Sequence, residues 1–418
     1  MAEYVVSDTN LTAVANAIRT KSGGTSPLEF PNGFVTEIGN ISGGGDPNPV
    51  AAPKDVNFID MDGTIRYSYT NDEIANLTAL PANPVHTDIG LVAQGWNWTL
   101  ADIKTQKQKM PKAPLFVGQC YNTVSDKAEI DIEIYGAPKS CYINLAPNGT
   151  VDIDWGDGSE HSTLTGTSTS TRQQAGHTYP APGAYTIKLD ATSGTCLYLA
   201  TSNIYLLSSS STSQYVNLYA SRMVMRIRHG NKIYWGNYTH VNLKNLDYVA
   251  TNANQYAYMG GYTFENANLP CVIVASGRDT ISTSFLHQAE VKYVSLPKSI
   301  TTLNNTAFQG CNFPQICLPH GITTLNGNSF SSCNALKVIY IPETVTSIVG
   351  TAFNDCRALY EYHFLGTTPP SLSTNSGFTN KPGSCKFYVP KSENKTVLNT
   401  YKTASNWSTF ASIIEEEP

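Results

Sequence analysis

Val291-Lys-Tyr-Val-Ser-Leu-Pro297, Gln315-Ile-Cys-Leu-Pro319 and Lys337-Val-Ile-Tyr-Ile-Pro342 are three versions of one phrase, an apolar run closed by proline. The residues after each run repeat as well. Ser299-Ile-Thr-Thr-Leu303 aligns with Gly321-Ile-Thr-Thr-Leu325 and Thr344-Val-Thr-Ser-Ile348. Thr306-Ala-Phe-Gln-Gly-Cys311 aligns with Asn328-Ser-Phe-Ser-Ser-Cys333 and Thr351-Ala-Phe-Asn-Asp-Cys356. The prolines, phenylalanines and cysteines each step by 22 and then 23 residues. Three columns held in phase mark a solenoid, in which each coil offers a short strand and stacked coils bury ladders of equivalent side chains. Proline lacks the N–H that a ladder needs, so it ends the strand before it. The reading requires Phe308, Phe330 and Phe353 to pile up as rungs. Phe285 lies one period earlier, and Tyr262-Thr-Phe264 begins another coil.

Working outward, an open solenoid end exposes unpaired backbone and needs a cap. Residues 391–418 supply it, with a helix-like Asn394–Tyr401 and then Trp407–Ile414, after a last strand at Cys385-Lys-Phe-Tyr-Val-Pro390. Residues 291–390 are the regular repeats and 196–290, rich in Tyr and Asn, are read as irregular coils. Over 128–195, Glu129-Ile-Asp-Ile-Glu-Ile-Tyr135, Val151-Asp-Ile-Asp-Trp155 and Tyr185-Thr-Ile-Lys-Leu189 alternate with period two between Gly-rich turns, which predicts a β-sandwich. Residues 55–127 look mixed: strand-like runs flank the turn Asp62-Gly63, and short helices start at Asn71 and Thr99. Residues 43–54 are a Gly/Pro linker. In 1–42, Leu11, Val14, Ala15 and Ile18 share a helical face, on a piece too small to fold alone. The expected class is thus mainly β and multi-domain.

Charged residues make up only 14% of the 418, so solubility rests on uncharged polar side chains. A net charge of −5 argues against nucleic acid as partner. The densest basic run, Arg222-Met-Val-Met-Arg-Ile-Arg-His229, alternates like one strand face. Nine cysteines with no CxxC pair, three of them in the repeat columns, read as buried thiols, with neither a disulfide framework nor a zinc site. No apolar run is long enough to span a bilayer, and Met1-Ala-Glu-Tyr-Val-Val-Ser-Asp8 does not read as an export leader.

Three places invite a chemical reading. Phe58-Ile-Asp-Met-Asp-Gly-Thr64 resembles the first motif of haloacid-dehalogenase-type phosphatases, which implies Asp60 as nucleophile and Asp62 as acid/base. The later acidic pair and the alternating βα units of that family are missing, so a hairpin turn is preferred. Asp152, Asp154 and Asp157 offer carboxylates to Ca²⁺, but Asp and Gly also shape tight turns, and that reading is preferred. Trp96, Trp98 and Trp235 suit stacking on sugar rings, although aromatic residues in β proteins more often pack cores. The eight histidines show no metal spacing, and neither GxSxG nor a phosphate loop occurs. No catalytic, metal or cofactor residue is assigned.

Resemblances extend this. Ile341-Pro342, Val345-Thr-Ser-Ile348, Ala352-Phe353, Cys356 and Leu359 resemble the BspA-type leucine-rich repeat over 291–390; Ser329 and Pro314 depart from it. Val151–Ser159, His177-Thr-Tyr179, Pro182-Gly183 and Tyr185-Thr-Ile187 resemble a polycystic-kidney-disease (PKD) domain, which implies an immunoglobulin-like sandwich. Asp8–Gly24 with Leu28–Phe34 is similar to the N-terminal segment of phage tail-fibre and baseplate proteins, and 55–100 to segments found beside repeats in phage virion proteins. Together they imply a non-enzymatic fibre or receptor-binding protein on a virion. Residues 1–42 would bind other virion proteins, as a trimer, and the solenoid would meet a host glycan or protein. A structural decoration without receptor contact is the alternative.

Overall fold

The computed structural model describes residues 50–135, 139–198, 223–235, 240–253 and 261–418. The expected anchor over 1–42, most of the linker and parts of 196–290 lie outside the described residues.

Val56–Ile59 (β1) and Ile65–Tyr69 (β2) form an antiparallel hairpin, turned at Gly63 with a left-handed φ of 77°. Thr70 then starts Asn71–Asn76 (α1) with a capping box: its hydroxyl accepts from the Glu73 N–H, and its own N–H donates to the Glu73 carboxylate. Leu91–Trp96 (β3), Leu100–Lys109 (α2) and Leu115–Thr123 (β4) complete a module with strand order β2–β1–β4–β3.

Next along the chain are Ala128–Ile134 (β5), Lys139–Asp154 (β6), Ser162–Thr167 (β7), Gln173–Tyr179 (β8) and Gly183–Tyr198 (β9). β5 buries every second residue, as period-two alternation requires. β6 and β9, each of 16 residues, change partners along their length. β6 pairs with β8 and then β7, while β9 pairs with β5 and then β6. Hydrogen bonding therefore runs through one continuous sheet as the two long strands pass from one set of partners to the next. Gly149 and Gly194 face each other in the β6–β9 pair and permit this, both with positive φ. A Cβ on Gly149 would fall 2.1 Å from Ser193 O, and one on Gly194 1.9 Å from Asn148 O.

Val224–Arg228 (β10), Ile233–Trp235 (β11), Tyr248–Ala250 (β12) and Asn268–Ile273 (β13) open the solenoid. β10 pairs antiparallel with β5 and parallel with β12, so the β5–β9 sheet covers the edge of the first coil. Beyond β13, the parallel strands continue at Glu290–Ser295, Val338–Ile341, Glu361–Phe364, Lys386–Val389 and Ile414–Glu416. A second ladder of two-residue strands, Thr280–Ile281, Thr302–Leu303, Thr324–Leu325, Ser347–Ile348 and Ser371–Leu372, runs along another face.

Phe308, Phe330 and Phe353 do stack, with ring centroids 5.3 and 5.4 Å apart, and Phe378 continues the column at 5.6 Å. Phe264 and Phe285 stand at the same place in earlier coils, 5.4 Å apart. The backbone binds the coils too: Phe308 N donates to Ser329 O and Phe330 N to Ala352 O, both at 2.9 Å. The Cys333 and Cys356 thiols donate to the carbonyls of Phe308 and Phe330, each at 3.0 Å. Burial pushes the Cys356 thiol up to about 12, so it remains a neutral donor. All nine cysteines are buried thiols outside any disulfide. At the far end Tyr401, Trp407 and Phe410 close over Phe364, Phe378 and Phe387.

Candidate functional site

The hairpin carboxylates are structural. Asp60 is fully buried. One of its oxygens accepts from the Tyr121 hydroxyl at 2.7 Å and Met61 N at 2.8 Å; the other meets Arg66 Nε at 2.8 Å and His86 Nε2 at 2.7 Å. Burial alone would raise this carboxyl, but the His86 and Tyr121 hydrogen bonds outweigh it and hold it below its ordinary value. A nucleophile whose oxygens are both occupied in a sealed core has no approach for phosphate. Asp62 stands apart, accepting from Thr64 N at 2.8 Å across the turn.

The second acidic group is likewise engaged. Asp152 meets His161 Nδ1 at 2.8 Å, Asp154 accepts from Gly156 N at 2.8 Å, and Asp157 meets His177 Nε2 at 2.8 Å. Burial raises Asp157, but hydrogen bonds from Ser159 and His177 bring it down to about 2. Asp152 and Asp154 share the His161 ring, whose Nε2 lies 3.7 Å from Asp154, while Asp157 serves a separate turn; among the described residues the three form no group that could hold a metal ion. In the basic stretch, Arg228 is buried against Asp131 and Glu129, and Arg226 meets Asp247 at 3.1 Å, so β10 joins the solenoid to the preceding sheet through ion pairs.

Trp96 and Trp98 lead elsewhere. They sit where the 50–127 module docks on the strand face of the solenoid. Asn97 Nδ2 donates to Val274 O at 2.7 Å, Trp98 Nε1 to Leu296 O at 3.0 Å, and Gln106 Nε2 to Leu318 O at 2.9 Å. These carbonyls are 22 residues apart, one per coil, so the module reads three consecutive turns of the repeat. Gln106 Oε1 also accepts from His320 N at 2.9 Å. Residues 316–318, whose counterparts Ile339–Ile341 in the next coil lie in a strand, form none themselves. Phe116 packs on Tyr293, and Gly118 lies so close to Ile273 that a Cβ would fall 2.4 Å from it.

Beside this seam lies a cleft of about 530 Å³. One wall is the turn from Trp96 to Thr99 and the first turns of α2, started by the Thr99 cap on Asp102 N. The other wall is the row of loops that come after the strands of successive coils, at Ser276, Pro297–Ser299, His320–Gly321 and Thr344. Asp102 and Lys298 face each other across the seam at 2.6 Å, so their charges cancel. Ser299 Oγ and His320 Nδ1 are buried without a hydrogen-bond partner among the described residues. Trp235 is far from this place in the fold, fully buried and stacked on His229 at 4.7 Å. Sequence reasoning found the two tryptophans; Asp102, Lys298 and His320 carry no local signal and are brought in only by docking.

Among the described residues, no helix is long and apolar enough to cross a membrane. No curated protein matches the chain. Among solved structures it is similar to a leucine rich cell surface protein from Faecalibacterium prausnitzii A2-165, with 17% identity and a TM-score of 0.26. The match covers 42% of this chain and 62% of that one, so the chain spans less than two thirds of that protein's length. Residues 257–376 match six copies of the BspA type leucine rich repeat region, a span that holds the five phenylalanine rungs from Phe264 to Phe353. Within the C-terminal solenoid, residues 257–376 are thus a BspA-type leucine-rich repeat region.

Proposed function

We propose that the chain is a non-enzymatic attachment protein of a bacteriophage particle, with residues 1–42 holding it on the particle as a trimer and the unit Val50–Pro418 meeting the host surface. The observation that carries this reading is the docked seam: a repeat solenoid, a fold that builds extended binding surfaces, is joined to a module that leaves a lined cleft. Of the carboxylates that suggested catalysis, Asp60 is tied up inside the fold and Asp62 caps the exposed hairpin turn. The resemblances of 7–41 and 55–100 to segments of phage virion proteins supply the location. Several copies on one particle turn weak single contacts into firm attachment through effective concentration.

The test is competition. Purified full-length chain should bind host cells and reduce adsorption of the particles that carry it, and antibody against the chain should label those particles. A chain found on particles that neither binds cells nor competes is a structural decoration, and the attachment reading then fails.

A further inference from the structure

We propose that the cleft between α2 and the post-strand loops binds a neutral saccharide unit of the host surface, an inference that rests on the attachment reading above. The volume of about 530 Å³ lies inside the roughly 300–1,000 Å³ range of small-ligand sites. Its lining is mainly apolar with a polar margin: half-buried Trp96, backed by buried Trp98 and Pro297, stands beside the hydroxyls of Ser276 and Thr344 and the imidazole of His320. A pyranose is amphipathic in the same sense, with C–H faces for apolar walls and hydroxyl edges for polar ones.

Charge selects against an ionic ligand. The two full charges at the wall, Asp102 and Lys298, neutralise each other at 2.6 Å. Burial lowers the proton affinity of His320, so this ring is neutral at physiological pH. Ser299 Oγ and His320 Nδ1 have no partner within the described chain, and a buried polar atom left so costs about 1–3 kcal/mol. Both atoms lie beneath the wall, out of solvent contact; the hydroxyls that meet a guest are those of Ser276 and Thr344.

A peptide guest is disfavoured by what the module already occupies. Strand addition needs free main-chain groups along an edge, and the carbonyls of Val274, Leu296 and Leu318 are taken by Asn97, Trp98 and Gln106.

The experiment uses full-length chain on host cells treated with periodate, which cleaves vicinal diols, or with protease, together with titration by neutral oligosaccharides released from the host wall, read by tryptophan emission. Periodate should abolish binding, protease should spare it, and the released saccharide should shift the emission. Thr105 is exposed on α2 at the cleft. Thr105→Trp should weaken saccharide binding at least tenfold with an unchanged unfolding transition, and Thr105→Val should not. Protease-sensitive, periodate-resistant binding, or a Thr105→Trp chain that binds like the native one, overturns the cleft assignment while leaving attachment standing. A native chain that binds no cells sinks the attachment reading itself.

Discussion

Gly118→Ala is the sharpest probe of the seam between module and solenoid. Gly118 lies on β4 without a positive φ, so alanine suits its backbone. What alanine lacks is room: its Cβ would fall 2.4 and 2.6 Å from Cγ2 and Cγ1 of Ile273, a residue 3% exposed. Overpacking of this kind costs about 1–3 kcal/mol. Ile273→Ala alone opens a cavity at about 2–5 kcal/mol, yet it removes the two nearer of the three atoms that the new methyl meets, leaving only Ile273 Cβ at 3.0 Å. The double variant should therefore be more stable than the sum of the singles by about 1–3 kcal/mol, a coupling well above the scatter of independent sites. Val272 belongs to the interior core of the solenoid, so Val272→Ala should add to Gly118→Ala without coupling. Equilibrium urea unfolding tracked by tryptophan emission reads all of this, because Trp98 bridges the seam through its bond to Leu296 O. Additivity within about 0.5 kcal/mol for Gly118 and Ile273 would mean that the module does not sit on the strand face, and the cleft would go with it.

The buried groups give three further outcomes. Asp60→Asn removes the charge that Arg66 and His86 share, so it should cost about 3–5 kcal/mol in denaturant unfolding, with no phosphatase activity in either chain; an unchanged midpoint would contradict the hub. His229 and His240 are buried, and burial drops His229 to about 3 and His240 well below its ordinary value. Below pH 6.5 the unfolded chain takes up protons that the folded core refuses, so stability should fall on acidification by about 2 kcal/mol per ring at pH 5. His229→Phe should remove one ring's share, and a pH profile identical to native would refute the assignment. Phe330→Ala should cost about 3–5 kcal/mol by cavity formation in the ring column; a loss under about 1 kcal/mol would show that the rungs are not packed.

How legible was this in the sequence? The repeat was legible because a coil must return to the same place every 22 or 23 residues, so Pro297, Phe308 and Cys311 recur in step. The hairpin at Asp62-Gly63 and the helix starts at Thr70 and Thr99 were legible for a local reason: turn and cap chemistry acts within about four residues. Coils before residue 290 were less so, since His240 takes a place beside Phe264 and masks the column.

What composition, periodicity and turn chemistry determined by themselves was a mainly β chain with a C-terminal solenoid and buried thiols. Only tertiary structure decided that β5 edges the first coil through β10, that Asp60 is a buried hub, and that Asn97, Trp98 and Gln106 clasp carbonyls 177, 198 and 212 residues further along the chain. Such contacts obey no local period. They arise when two apolar faces meet, and the side chains that meet there leave no spacing in the sequence to be read.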